Sequence, residues 1–316
     1  MRVLVTGAGG FVGKHLLREL RRANHIPLAL DLEPCTAPEA EASYIADLRN
    51  MESLRDALRT ADADACIHLA GIAFVPTGWT DPELVFDVNL NGTVNLLEAL
   101  RHHGAGLPAL IVTSAEVYGR DPRPGLIHEQ SGFHPSNPYA VSKLAADLTT
   151  LLYARRYAMP VMTARPGNHI GPGQSIQFVT SAFAEQLIRI RNGRAESVMK
   201  VGNLDGERDF TDVRDVVRAY RMIIEKGRPG QTYNIATGNP VKIQTILDTL
   251  CQLAGVKPDI QIDPERYRPT DNPPILDTAH IRKAIGWEPQ IPLETTLKDI
   301  LDDFDRRPAT ATRTGA

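Results

Sequence analysis

The sequence predicts an α/β protein: a doubly wound parallel sheet followed by a smaller α/β domain. Three observations carry this reading. A short β-branched run opens the chain and leads straight into clustered glycines, apolar strand runs then alternate with helical patterns to about residue 165, and after Gly171-Pro172-Gly173 the pieces become shorter. Strands separated by helices pair in parallel, because each helix carries the chain back across one face of the sheet.

Taken in order, Arg2-Val3-Leu4-Val5-Thr6 is a strand, Gly7-Ala8-Gly9-Gly10-Phe11-Val12-Gly13 a turn, and the residues to about Arg22 a helix. Ile26 to Leu30 forms a second strand ending on Asp31. Tyr44 to Ala46 is a short strand followed by Asp47-Leu48, and Met51 to Arg59 a helix. Ala65-Cys66-Ile67-His68-Leu69-Ala70-Gly71 reads as a buried strand. From Pro82 to His102 the apolar positions Val85, Val88, Leu96, Leu97 and Leu100 recur at helical spacing and predict one helix. Leu110 to Thr113 is the fifth strand, Pro138 to Tyr157 a helix entered through a proline-rich loop, and Val161 to Arg165 the sixth strand. Beyond these the pattern predicts helices near Phe178–Arg191, Val213–Glu225, Ile243–Leu253, Asp277–Ile285 and Leu293–Phe304, with one strand at Tyr233-Asn234-Ile235.

Composition excludes several classes. The 316 residues, 42% apolar and 23% charged, suffice for a substantial core. A net charge of -3 and the lack of a basic cluster interleaved with aromatics argue against a nucleic-acid partner. Cys35, Cys66 and Cys251 have neither disulfide-framework nor metal-ligand spacing. No apolar run reaches the roughly 18 residues that span a bilayer, and the first residues lack a signal pattern, so the expectation is a cytoplasmic protein with no membrane partner and no metal.

The glycine turn points to a dinucleotide. Gly7 allows a turn closed to other residues, Gly10 lets a pyrophosphate approach the main chain, and Gly13 lets helix and strand pack closely. The helix N-terminus then meets phosphate with its N–H groups and dipole. Asp31, about 20 residues on, stands where a Rossmann-type fold binds ribose. Its carboxylate would set a 2′-phosphate some 4 Å from a like charge, a repulsion of about 4 kcal/mol at an effective dielectric of 20, so NAD is expected, with NADH favoured over NADPH. Asp47-Leu48 is a candidate for holding the adenine. Tyr139 and Lys143 lie four residues apart and share a helix face, where the ammonium is expected to depress the tyrosine pKa and make an acid or base usable near neutral pH.

Together these residues resemble the extended short-chain dehydrogenase/reductases of the nucleotide-sugar epimerase/dehydratase group. The resemblance runs to about residue 305, through Thr6-Gly7-x-x-Gly10-x-x-Gly13, His68-Leu69-Ala70-Gly71, Asn89-x-x-Gly92-Thr93, Ser114-x-x-x-Tyr118-Gly119, Tyr139-x-x-x-Lys143, Arg165-Pro166-x-Asn168 and Arg208-Asp209-Phe210. It implies a Rossmann-type NAD-binding domain over 1–172 that carries the catalytic residues and a mainly substrate-binding domain over 173–305, with possible crossing of the chain between them; the Pro, Thr, Ala and Gly content of 306–316 predicts a disordered tail. It also implies Ser114 as the hydroxyl that bonds the substrate oxygen, Tyr139 as the proton carrier, Lys143 on the nicotinamide ribose, and Phe11, Val12, Leu69, Ala70, Gly71 and Pro166 at the cofactor.

Several stretches, among them Asn137 to Ala146 and Asn168 to Gln174, are similar to those of GDP-4-dehydro-6-deoxy-D-mannose reductases. The similarity implies a nucleotide-sugar substrate held by Ser114, Glu116, Asn168, Arg208, Arg268 and Asp271, with the arginines forking onto the diphosphate. The expected reaction is reduction of the C4 ketone of a 4-keto-6-deoxyhexose. A 4-epimerase or 4,6-dehydratase that recycles bound NAD stays open, because Glu116 stands where 4,6-dehydratases of the group carry the base that acts at C5. A non-catalytic dinucleotide-binding regulator is the third reading, disfavoured because both Tyr139 and Lys143 are present. The group also implies a homodimer built through the helices near 82–102 and 138–157.

Overall fold

A computed structural model of the chain describes residues 1–103, 106–119, 125–266 and 275–307. The first half contains strands β1 (Arg2–Thr6), β2 (Ile26–Asp31), β3 (Ala42–Ile45), β4 (Ala65–His68), β5 (Ala109–Val112) and β6 (Val161–Pro166). Its helices are α1 (Phe11–Arg22), α2 (Met51–Ala61), α3 (Thr77–Thr80), α4 (Pro82–Phe86), α5 (Gly92–His103) and α6 (Pro138–Tyr157). The second half adds β7 (Asn168–Ile170), β8 (Val198–Val201), β9 (Glu207–Arg208), β10 (Phe210–Asp212), β11 (Thr232–Ile235), β12 (Val241–Lys242) and β13 (Asp259–Ile262). Its helices are α7 (Val179–Arg191), α8 (Val213–Lys226), α9 (Ile243–Ala254), α10 (Ala279–Ile285) and α11 (Leu293–Arg306).

The chain divides into two compact units. The first comprises Met1–Gly167, Arg214–Ala236 and a return segment ending at Glu288, so the chain leaves it at Gly167 and comes back twice. Its sheet has seven strands in the order β11-β6-β5-β4-β1-β2-β3, all paired in parallel. The order runs outward from β1 in both directions, which is the doubly wound arrangement, and the reversal between β1 and β4 opens a crevice at the carboxyl ends of these two strands. Val3, Leu4 and Val5 are fully buried, as are all four residues of β4, because helices cover both faces of the sheet. Leu4, Leu28, Leu54, Leu58, Cys66, Leu96 and Ile111 meet in one of its cores.

Capping fixes where α6 begins. The Asn137 side chain accepts the Ala140 N–H at 2.8 Å and Pro138 occupies the first turn, so Tyr139 enters the helix at its start. The stretch expected as one helix over 82–102 is interrupted. Asp87–Asn91 is a π turn between α4 and α5. A π turn admits one extra residue, and the apolar spacing on either side of it stays helical, so periodicity does not reveal it. Its buried member, Asn89, faces inward.

The second unit comprises Asn168–Val213, a stretch beginning at Thr237 and a segment beginning at Pro289. It holds three two-stranded pairs: β10 with β7, β12 with β9 and β13 with β8. Phe183, Leu187, Met199, Ile246, Leu250, Leu297 and Ile300 form its core under α7, α9 and α11. Arg306 closes α11, and residues 308–316 of the expected tail lie outside the described residues. Among the described residues, no helix is long and apolar enough to cross a membrane.

Candidate active site

The glycine turn is built as its spacing requires. Gly7 has φ +69°, and a Cβ there would lie 2.8 Å from the Ala70 backbone. One on Gly13 would lie 2.3 Å from the Gly7 carbonyl oxygen. Gly10 precedes α1 in an extended conformation with no side-chain cap, so the N-terminal N–H groups of a 12-residue helix face the turn. This bare main-chain cradle fits the diphosphate of a dinucleotide. Phe11 and Val12 begin α1 half-buried.

Asp31 ends β2 with both oxygens engaged: Oδ2 accepts the Gly9 N–H and Oδ1 the Leu32 N–H, each at 2.8 Å. It therefore anchors the glycine turn, and its remaining lone pairs suit ribose hydroxyls. Asp47 is bound by Arg49, which donates Nη2 to Oδ2 at 2.7 Å and holds this carboxyl below the usual range. The Leu48 side chain is packed into the core at 6% exposure, where a Cβ on Gly92 would lie 2.9 Å from its own Cβ. Leu69, Ala70 and Gly71 follow β4 with part of their surface open, whereas Pro166 is buried at the end of β6.

Ser114 and Tyr139 meet. Ser114 follows β5 and opens a short 3-10 turn, Ala115–Tyr118, its Oγ accepting the Glu116 N–H at 3.1 Å. It also hydrogen-bonds the Tyr139 phenol. Burial pushes that phenol up to about 12, the Ser114 bond opposes the shift, and the Glu116 charge adds to it. The expected depression by Lys143 is not found. Lys143 is itself buried, which pulls its ammonium down to about 8, and its Nζ donates to the Val112 carbonyl at 3.3 Å. Gly71 makes room for it, since a Cβ there would stand 3.2 Å from Nζ and 2.8 Å from Asn89 Oδ1.

Sequence reasoning missed the support beneath this pair. Thr93 Oγ1 donates to the Asn89 carbonyl at 2.7 Å, so toward His68 Nε2, 3.2 Å away, it can only accept. The proton of His68 accordingly sits on Nε2, and Nδ1 accepts from Thr6 Oγ1 at 2.7 Å, which in turn accepts the Ala70 N–H. Burial, and secondarily the Lys143 charge, push His68 down to about 3, so the ring is neutral. Asn89 continues the chain: its amide bonds the N–H and C=O of Ile72 and donates to Ser142 Oγ, which donates to the Tyr139 carbonyl. Thr6, His68, Asn89 and Thr93 all lie in motifs legible in the sequence, and that was the available signal.

In the second unit, Asn168 is exposed on β7 opposite Phe210 of β10. Arg208 lies on β9 with Nη1 donating to the Glu207 carbonyl at 2.7 Å. The next residue, Asp209, accepts from the Thr237 N–H and hydroxyl and from the Gly238 N–H, which fixes the backbone beside Arg208. Arg268 and Asp271 lie outside the described residues. Among the described residues, no His, Cys, Asp and Glu side chains cluster as a metal site would require.

The sequence profile of the GDP-mannose 4,6 dehydratase family matches residues 4–300. The GDP-6-deoxy-D-mannose reductase of Pseudomonas aeruginosa is 39% identical over 97% of this chain and 98% of its own. The structure of RMD from Pseudomonas aeruginosa complexed with NADPH superposes with a TM-score of 0.85 at 38% identity, covering 97% of this chain and 99% of that one. The UDP-glucose 4-epimerase of Thermus thermophilus in complex with NAD gives 0.84 at 28% identity, covering 96% and 99%. The chain belongs to the GDP-mannose 4,6-dehydratase family of extended short-chain dehydrogenase/reductases.

Proposed function

We propose that this protein reduces the C4 ketone of GDP-4-dehydro-6-deoxy-D-mannose to give GDP-D-rhamnose. The observation that carries the reading is the Ser114–Tyr139 contact with the phenol held protonated, the state an acid must occupy before it acts. The nicotinamide supplies the hydride to C4. Tyr139 gives its proton to the C4 oxygen while Ser114 donates a hydrogen bond to that oxygen, so ketone plus hydride plus proton becomes alcohol. Lys143 holds the nicotinamide ribose. Asn168, Arg208, Arg268 and Asp271 hold the nucleotide, and Glu116 bonds a sugar hydroxyl. The 39% identical reductase supports the substrate class.

Asp31 favours NADH, because the 2′-phosphate of NADPH would bring a second negative charge toward its carboxylate. The exposed apolar residues Val141, Leu148 and Leu152 of α6 support a homodimer. One further reading has an observation behind it: Glu116 lies close enough to act on Tyr139, and a carboxylate there can remove a sugar C5 proton. Elimination of water also needs an acid at the leaving hydroxide, and the turn Ala115–Tyr118 contributes only one carboxylate.

Incubation with the 4-keto sugar nucleotide and either reduced cofactor should consume nicotinamide absorbance at 340 nm, faster with NADH than NADPH. Tyr139→Phe should lower kcat by about 10²–10⁴-fold with KM little changed. Conversion of GDP-mannose to the 4-keto sugar without added reductant, abolished in Glu116→Gln, would instead establish the dehydratase.

A further inference from the structure

We infer that the buried ion pair Asp147–Arg165 is a positioning device that sets the Ser114 hydroxyl against the Tyr139 phenol. The inference rests on the proton-transfer role proposed above for that contact. Both partners are out of solvent, Asp147 at 0% and Arg165 at 1% exposure. Arg165 forks onto Asp147, with Nε to Oδ2 at 2.9 Å and Nη2 to Oδ1 at 2.7 Å. A buried pair of this kind gives little stability over apolar side chains of the same volume, so its presence calls for a reason in what it holds.

What it holds is every element that carries the reacting groups of the first unit. Asp147 is on α6, one helical repeat beyond Lys143 and two beyond Tyr139. Its Oδ2 also accepts from Thr113 Oγ1 at 2.9 Å, and Thr113 is the residue before Ser114. Arg165 Nη1 donates to the Tyr118 hydroxyl at 2.8 Å, at the other end of the turn that starts after Ser114, and to the Glu129 carbonyl at 2.9 Å. The guanidinium carbon lies 5.1 Å from the Tyr118 ring centroid and 4.9 Å from that of Phe133. Tyr118 Oη donates to Asn234 Oδ1 at 2.7 Å, and the Asn234 N–H donates to Glu129 Oε1 at 2.9 Å. Both ends of the Ser114–Tyr118 turn and the helix bearing Tyr139 are thus tied to one carboxylate–guanidinium pair. Thr113, Asp147 and Arg165 are all buried, at 3%, 0% and 1% exposure. They act through Ser114 and Tyr139, and so does Tyr118.

The test uses full-length Thr113→Val, which removes the hydroxyl that bonds Asp147 at nearly constant shape, with Asp147→Asn as the stronger perturbation. Thr113→Val should lower kcat about tenfold and Asp147→Asn about a hundredfold, with both KM values within about twofold of wild type. Thr113→Ser should restore the rate. Reduced cofactor deuterated at the transferred position should show a larger isotope effect on kcat in the slow variants. A second readout needs no turnover. In protein labelled with 13Cζ-tyrosine, the Tyr139 signal, assigned by its loss in Tyr139→Phe, should move in Thr113→Val toward its position in Ser114→Ala. A lowered unfolding midpoint with wild-type kcat and an unmoved Tyr139 signal would overturn the inference and leave the pair a packing element. If wild type oxidises neither cofactor yet the signal moves, the reductase reading fails and the positioning role stands. Wild-type inactivity with an unmoved signal overturns both.

Discussion

Lys143 and Tyr139 lie one helical turn apart, which the sequence makes plain, yet burial moves the two in opposite directions: the ammonium down to about 8 and the phenol up to about 12. The spacing was legible because helix geometry alone sets it. The direction of the tyrosine shift was not, because it depends on how much water the finished fold leaves around the ring. His68 shows the same principle in a form that stability measurements can read. Its folded value of about 3 lies below the ordinary 6.5, so between these the unfolded chain binds a proton that the folded chain refuses. Stability from this group is therefore present above pH 6.5 and drains away as pH falls toward 3. At pH 4.5 the deficit is on the order of 2–3 kcal/mol, two pH units at about 1.36 kcal/mol each. His68→Gln should start from a lower urea midpoint at pH 7 but lose less between pH 7 and pH 4.5, and equal acid slopes in the two proteins would refute the neutral ring.

Among the elements, the parallel strands and long helices of the first unit were readable from apolar runs and their alternation, and so were the glycine turn and the start of α6 at Asn137-Pro138. The two-residue strands β9 and β12 offer too few positions for any period to register, and β13 has no buried face to read, since all four of its residues are exposed. The π turn at Asp87–Asn91 escaped for a different reason: it adds a residue without altering composition. Its effect is to aim Asn89 at the Ile72 backbone and Ser142. Asn89→Ala would take this partner from the Ile72 N–H and C=O and from Ser142 Oγ, a loss on the order of 1–3 kcal/mol, and should lower the thermal unfolding midpoint. Asn91→Ala, in the same turn but exposed, should stay within about 0.5 kcal/mol of wild type.

For the whole molecule, α6 presents Val141, Leu148 and Leu152 at 40%, 47% and 60% exposure. These residues are seven and eleven positions along from the first, close to two and three full turns, so they form one stripe. Replacing Leu148 and Leu152 together by Lys should convert the proposed dimer to monomers in sedimentation velocity, and an unchanged sedimentation coefficient would place the contact elsewhere. The expected division at residue 172 reflected a real change of rhythm after the sixth strand, but the chain leaves the first unit at Gly167 and later returns to complete it. Composition gives no sign of a strand that joins a sheet after a long excursion, because β11 looks like any other short strand. Its pairing with β6 nevertheless governs the order of events on the ribosome. Until Thr232–Ile235 has been synthesised, β6 stands as a bare sheet edge and the Tyr118 hydroxyl lacks the Asn234 amide oxygen that accepts its hydrogen bond. A nascent chain halted after the glycine turn, Ser114, Tyr139 and Lys143 have all emerged would carry every reacting group and still be unfinished as a catalyst, an open edge calling for chaperone protection.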